Sequence, residues 1–367
     1  MKKLFVLILL ISFCGLFAQG VDWNLTGAGS RALGMGGAFI GVADDATAIT
    51  WNPAGLYNLE RMEASIVSQY YSEDYEFGPY EQGYDTFVMN FASVAVPINF
   101  GENKVTVALA FQRQMELYEY TDHGYAYEEL SGAASTVNIG AGSRFMNVLA
   151  VGFAANIWLG SYTYEYSEVG YDEENTGYFS GFNMGLGGMI DLNYLQSPVP
   201  LKLGISVKTP FDLMVDEEYG ETTIEMPLML GAGFSYRIGE MLTISADFET
   251  RNYQDKKSIY VDDDGEIMED VLSHGNLNQF RIGTEYLFLS DFAVIPLRLG
   301  FQNVPTTNYT AENDQIVGNG ISFGTGFIFE KFAIDIFSYY AMFETDFGFA
   351  TYNAERLRAG ISGIIYF

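Results

Sequence analysis

Leu149, Val151, Phe153, Ala155, Ile157 and Leu159 are apolar at every second position, with Ala150, Gly152, Ala154, Asn156 and Trp158 between them. Side chains of a β-strand alternate between its two faces, so this stretch has one face that is apolar along its whole length. The pattern returns. Leu201, Leu203, Ile205 and Val207 alternate with Lys202, Gly204, Ser206 and Lys208; Leu242, Ile244, Ala246 and Phe248 alternate with Thr243, Ser245, Asp247 and Glu249. A water-soluble sandwich has the same period, but with shorter strands and a well-charged outer face. Here only 18% of residues are charged, and the apolar faces are long. A wall with lipid outside and small or polar side chains inside is the fold that satisfies both observations.

About fourteen such stretches occur, near 62–72, 85–97, 103–118, 133–146, 148–161, 177–191, 200–211, 222–238, 240–253, 277–289, 292–303, 318–329, 331–343 and 355–367. Their connections alternate in length. Short ones fall at Asn147, Gly239, Ser290-Asp291 and Glu330, and longer ones at 73–84, 119–132, 162–176, 212–221, 254–276, 304–317 and 344–354. Short turns on one rim and long loops on the other describe an outer-membrane barrel. The expected fold is all-β: an antiparallel transmembrane β-barrel of about fourteen strands over 59–367, with a small N-terminal plug over 19–58 inside its lumen.

Residues 1–18 read as a signal peptide: Lys2 and Lys3, then an apolar run from Leu4 to Phe17, then Ala18 as a small residue at the cut. The one cysteine, Cys14, lies in that segment, so no thiol chemistry is expected of the mature chain. Gly27 to Leu56 is glycine-rich and lacks the period of a strand. Asp44 or Asp45 can start a short helix, and Pro53 pushes Asn52 into an extended conformation. The Gly34-Met35-Gly36-Gly37 run is no phosphate loop, because no Lys-Ser/Thr pair follows it.

Within this segment Ser30-Arg31-Ala32-Leu33-Gly34-Met35-Gly36-Gly37-Ala38-Phe39, then Asp44-Asp45, then Trp51-Asn52-Pro53-Ala54-Gly55-Leu56 resembles the N-terminal hatch of FadL-type outer-membrane proteins. PorV- and PorQ-like proteins of type IX secretion share the signature. The resemblance implies Arg31, Gly34, Gly36, Gly37, Asp44, Asp45, Asn52, Pro53 and Ala54 as the plug motif. It also implies a fourteen-stranded barrel, an apolar ligand pocket gated by the plug, and release of ligand sideways through a gap near a kinked strand. Met35, Phe39 and Ile40 are then the plug residues expected near such a ligand. The chain ends on an alternating strand closed by Phe367, which looks like the signal read by barrel-insertion machinery.

Net charge is −29, which argues against a nucleic-acid partner. The acidic residues concentrate in the long connections, as in Asp262-Asp263-Asp264, and read as a solvated outer rim; the full loop motif of a calcium site is missing there. Basic residues follow another rule. Arg144, Lys202, Lys208, Arg237, Arg281, Arg298, Arg356 and Arg358 all fall on the face opposite the lipid. An unpaired charge inside is costly, and Asp247, Glu249, Glu285 and Asp335 share that inward face as partners. Asp44 and Asp45 are expected to pair with the remaining wall cations and hold the plug; the alternative is that they only cap a helix. Tyr162, Tyr164 and Tyr166 share the inward parity of their stretch. They fit a position beyond the membrane, after a bulge, or lining a groove.

Catalysis finds little support. The two histidines, His123 and His274, fall in separate long connections, no Gly-x-Ser-x-Gly elbow is present, and neither a metal site nor a cofactor is expected. Three functions are consistent with the sequence. One is passive uptake of hydrophobic small molecules, such as long-chain fatty acids, across a bacterial outer membrane. The second is a PorV/PorQ-like secretion component that binds secreted proteins or a translocon. The third is a structural barrel with a fixed plug. In each, outer-membrane lipid surrounds the barrel, the short turns face the periplasm and the acidic loops face outward.

Overall fold

A computed structural model describes residues 24–367 apart from 79, 102, 123–124, 146–147, 196–197, 273–274, 311–313 and 347–350. The expected signal peptide, Cys14, His123 and His274 lie outside the described residues. The alternating stretches form β1 (Glu63–Phe77), β2 (Tyr80–Phe100), β3 (Asn103–Asp122), β4 (Ala126–Phe145), β5 (Leu149–Glu168) and β6 (Tyr171–Asp191). Then follow β7 (Leu201–Lys208), β8 (Phe211–Glu217), β9 (Gly220–Met226), β10 (Met229–Ile238), β11 (Leu242–Asn252), β12 (Lys257–Asp262) and β13 (Ile267–Val271). The last five are β14 (Asn276–Leu289), β15 (Val294–Tyr309), β16 (Gln315–Ile328), β17 (Phe332–Asp346) and β18 (Thr351–Tyr366).

All pairings are antiparallel, and β18 returns to β1 from Glu63↔Tyr366 to Phe77↔Tyr352, so the wall closes on itself. The 18 segments make a 14-stranded barrel, because β8, β9, β12 and β13 continue β7, β10, β11 and β14 beyond a break. On β5, Val151, Phe153, Ile157 and Leu159 are exposed, while Ala150, Ala154, Asn156 and Trp158 are buried. Repeated round the wall, this leaves a continuous apolar outer surface far larger than a soluble monomer tolerates. Lipid is the solvent that stabilises it. No described helix is long and apolar enough to cross a membrane; the strands make the crossing.

Two expectations change. The connections expected as long loops at 73–84, 119–132 and 162–176 are largely strand. The β4–β5 ladder, for example, runs unbroken from Phe145↔Leu149 to Ala126↔Glu168. A tilted crossing needs about 9–11 residues, so roughly half of a strand this long stands clear of the bilayer. There water bathes the outer face, the apolar alternation fades, and the backbone ladder continues regardless. Conversely, the stretches expected as single strands at 200–211 and 222–238 are each cut, at Pro210 and Pro227. Proline has no N–H to give a ladder. Tyr162 and Tyr164 simply continue the inward face of β5 and are buried.

The short-turn half of the lumen is filled by residues 24–59. An apolar cluster fills much of the opposite half: Leu25, Trp158, Tyr162, Tyr164, Phe179, Leu213, Val215, Ile224, Met226 and Met229 are among its members.

Candidate functional site: the plug and the lumen above it

The plug is built from turns. Ser30–Gly34 forms a single helical turn, α1, after which Gly36 and Gly37 take positive φ (64° and 72°) and reverse the chain. Asp45 accepts hydrogen bonds from the Thr47 amide at 2.9 Å and from its hydroxyl. That closes the turn leading into α2 (Ala48–Trp51), so Asp45 acts just before the helix and is not its N-cap. Asn52, held extended ahead of Pro53 (φ −153°), accepts from the Ala54 amide at 3.2 Å and starts a 3₁₀ turn over Pro53–Asn58. Its Nδ2 donates to the carbonyls of Ile40 (3.0 Å) and Gly188 on β6 (3.2 Å). One buried carboxamide thus ties two plug segments to the wall. Trp51 is the plug's centre: its Nε1 donates to the Ala28 carbonyl at 2.8 Å, and the ring meets Phe39 edge-on with centroids 6.1 Å apart.

Further polar contacts fasten plug to wall, among them Ser235 and Ser322 donating to the Gly41 and Gly34 carbonyls at 2.9 and 3.1 Å. Arg31 forks onto Glu285 of β14, both bonds at 2.9 Å. Glu285 also accepts from Arg298 Nε of β15 at 2.7 Å, and Arg298 Nη1 reaches Asp335 of β17 at 2.5 Å. Asp247 of β11 accepts the backbone amides of Phe39 (2.6 Å) and Ile40 (2.7 Å). Tyr57 donates to Asp191 of β6 at 2.8 Å, and Lys104 of β3 donates to the Leu59 carbonyl at 2.7 Å.

The expectation that Asp44 and Asp45 pair with wall cations is therefore corrected. Arg31 of the plug itself ion-pairs with Asp44 and lies 3.8 Å from Asp45. The plug reaches the wall through this arginine, and the wall supplies the carboxylate. Burial raises the Asp45 carboxyl above its ordinary value, against the pull of Arg31.

The other inward charges divide. Arg281 lies 3.4 Å from Glu249 and its guanidinium sits over the Trp51 ring at 5.5 Å. Arg356 pairs with Glu73 at 2.8 Å, and Arg358 covers the Tyr71 ring. Arg144 lies over the rings of Tyr57 and Tyr194, while Lys202 reaches Asn58 and Asp191. Arg237 is corrected: it is exposed on the short-turn rim and donates to the Glu240 carbonyl across the turn, because its strand ends there. Lys208 differs from all of these. Its charged neighbours are Glu249, Arg251 and Arg281, and Glu249 is already paired by both arginines. The Lys208 ammonium has no hydrogen-bond or ion-pair partner among the described residues.

Met35, Phe39 and Ile40, expected beside a ligand, are fully buried between plug and wall. Met35 lies on the bare backbone of Gly283 and Gly300, Phe39 against Trp51, and the Ile40 side chain against Gly231. They face neither of two lumen cavities. The first cavity, about 40 Å³, is polar and lies among β1, β2 and β3, with Gln69, Asn90, Gln112 and Arg358 on its lining. The second, about 20 Å³, lies at the edge of the apolar cluster; Leu25, Trp158, Phe211, Met229 and Lys208 line it. The Trp158 and Phe211 rings stack there with centroids 5.1 Å apart. This second site went unread in the sequence. Its signal was present in Leu213 and Val215, which alternate inside the connection expected at 212–221, and in Ile224 and Met226 of the strand expected at 222–238.

A closed 14-stranded barrel with a polypeptide plug in its lumen and an apolar belt outside has the architecture of outer-membrane transport barrels. More specifically, the chain has the FadL-type fold. It superimposes on a Pseudomonas aeruginosa FadL homologue with a TM-score of 0.70 at 10% identity, over 94% of this chain and 99% of that one. The Pseudomonas putida toluene transporter TodX gives 0.69 at 14% identity, over 94% and 100%. The Ralstonia pickettii toluene transporter TbuX gives 0.62 at 16%, over 94% and 100%. No protein-family model and no curated protein matches the sequence.

Proposed function

We propose that the protein lies in the bacterial outer membrane and takes up small molecules with an apolar body and an anionic head, passively, from outside. The observation that carries this reading is Lys208. It is a cation with two arginines and one already-paired glutamate as its charged neighbours, beside a cavity lined both by Leu25, Trp158, Phe211 and Met229 and by Gln114, Asn138, Asn156 and Asn183, in a chain whose net charge is −29. A carboxylate entering a low-dielectric site beside it would form a charge-assisted hydrogen bond and relieve an uncompensated charge. The apolar cluster directly above offers Leu25, Trp158 and Met229 to a hydrocarbon tail. That two similar folds are named toluene transporters favours apolar cargo; Lys208 favours a head that toluene lacks.

The test is competition against a brominated fatty-acid probe that quenches Trp158. Dodecanoate is expected to bind about tenfold or more tightly than dodecanol, since a hydrogen bond to a charged group is worth about 1.5–3 kcal/mol. Lys208→Met should bring the two ligands to equal affinity while leaving dodecanol unchanged. Equal binding of both to the unmodified protein would refute the anionic head. Native mass spectrometry of protein extracted from its own membranes addresses the wider reading: a bound amphiphile supports uptake. A barrel that emerges empty but attached to a secreted protein favours the secretion role.

A further inference from the structure

A cavity of about 20 Å³ holds a water molecule, not a dodecyl chain, so the apolar compartment must open before it can be filled. The wall beside it is interrupted. β7 ends at Lys208, and β8 begins at Phe211 after Thr209-Pro210. On the facing strand, β9 ends at Met226 and β10 begins at Met229 after Pro227-Leu228. Next to them, β11 and β12 are separated by a turn over Tyr253–Lys256, closed by the Lys256 amide on the Tyr253 carbonyl at 3.0 Å. Asp255 in that turn has positive φ (61°). β13 and β14 are likewise separate segments.

These breaks share one level. Lys208↔Met229 and Met229↔Arg251 form the last row below them, while Phe211↔Met226 and Ile224↔Ser258 form the first rows above. Beyond the line, β8, β9, β12 and β13 form their own four-stranded sheet. Its inner face carries the buried Leu213, Val215, Ile224 and Met226 of the apolar cluster.

The sheet has few ladder rows at its sides, where side chains add the Trp158–Phe211 stack and a hydrogen bond from Tyr162 to Glu217. It meets unbroken β6 only at Tyr178↔Asp216, Phe179↔Val215 and Ser180↔Met214. At its other edge, β13 pairs with β12 alone among the described residues. β15 joins the β14 ladder only up to Gln302. From there the seam is closed by side chains: Asn303 accepts from the Phe280 amide at 2.6 Å and donates to the Asn278 carbonyl at 2.9 Å.

We infer that β8, β9, β12 and β13 are a lid that swings as one body on this hinge line and uncovers the apolar compartment from the long-hairpin side. Two facing prolines remove ladder donors at the hinge, and each sheet keeps its own ladder on either side of it. The motion stands on the strand pairings alone; its service as the way in for cargo rests on the function proposed above.

The test locks the lid. Tyr178→Cys with Asp216→Cys joins partners across the β6–β8 pairing, both facing outward, in a chain whose described residues contain no cysteine. Leu203→Cys with Phe234→Cys, also outward-facing partners but below the hinge, is the control. Hydrogen exchange in detergent should show the lid amides exchanging together, about 100-fold or more faster than those of β7 and β10, and slowing only when the upper pair is oxidised. Lid amides as protected as β7 and β10, or unaffected by the lock, would overturn the lid. In cells, the upper lock should abolish uptake of labelled dodecanoate and reduction should restore it, with no effect of the control. A moving lid whose lock leaves uptake unchanged would overturn its gating role. If the unlocked protein takes up nothing, the proposed function fails, while the exchange data still judge the lid.

Discussion

Arg31→Met is expected to destabilise the barrel's plug more than any other single polar substitution. Arg31 is the one plug cation that reaches across to Glu285, and it also neutralises Asp44 and Asp45. Its removal leaves Asp44 and Asp45 without their arginine, and leaves Glu285 only Arg298, itself engaged with Asp335. Removing one partner of a buried pair costs about 3–5 kcal/mol, because the other charge is stranded. The loss should appear as a lowered denaturant midpoint for the plug, followed by Trp51 fluorescence, and as ion leakage in planar bilayers. The pH dependence has a definite sign. Burial already raises the Asp45 carboxyl. A carboxyl whose pKa is higher in the folded state is favoured below its ordinary range and loses that stability as pH rises through the raised value. The deficit of Arg31→Met should therefore be larger at pH 8 than at pH 5. A deficit independent of pH would mean that the stranded carboxylates find other cations.

Gly36→Val should unseat the plug by a different route. Gly36 has φ +64°, and a Cβ there would lie 2.8 Å from the Phe301 amide nitrogen on β15. A β-branched residue meets backbone strain of about 1–3 kcal/mol and a collision with wall backbone that cannot retreat, worth about 1–3 kcal/mol more. Gly239→Val is the matched control. It has nearly the same φ, +63°, in a short turn where a Cβ meets nothing within 4 Å. Both variants carry the strain, and only Gly36→Val carries the collision. Single-channel recordings should show open events for Gly36→Val and a closed barrel for Gly239→Val. Equal behaviour of the two would show that the plug tolerates displacement from β15, and would weaken the view that close backbone contact seals the lumen.

Much of the molecule was legible in the chain. The lipid face was readable strand by strand, because side-chain parity is a local property and lipid permits no exception to it over a crossing. Fourteen wall strands follow from that count, and the Asn52-Pro53-Ala54 turn is set by a proline and the residue before it. Inward parity also identified Arg281, Arg298, Glu285 and Asp335 as lumenal.

Parity does not say which inward charge meets which. Arg31, Asp44 and Asp45 are all close in sequence, and only the folding of the plug on itself turned the two aspartates toward Arg31 and left Glu285 as the wall contact. Tertiary structure likewise carried the strands past the bilayer, where water on the outer face erases the period but not the ladder. It aligned Pro210 with Pro227 on facing strands, which turned two separate local breaks into one hinge line. And it placed Lys208 beside a Glu249 already paired by Arg251 and Arg281, a fact about neighbours three strands wide that no single strand contains. The sequence alone determined which way the side chains of the membrane-crossing stretches alternate and how often the chain crosses. Pairings between distant residues, which depend on where strands meet and not on the period within any one of them, were decided by the closed barrel.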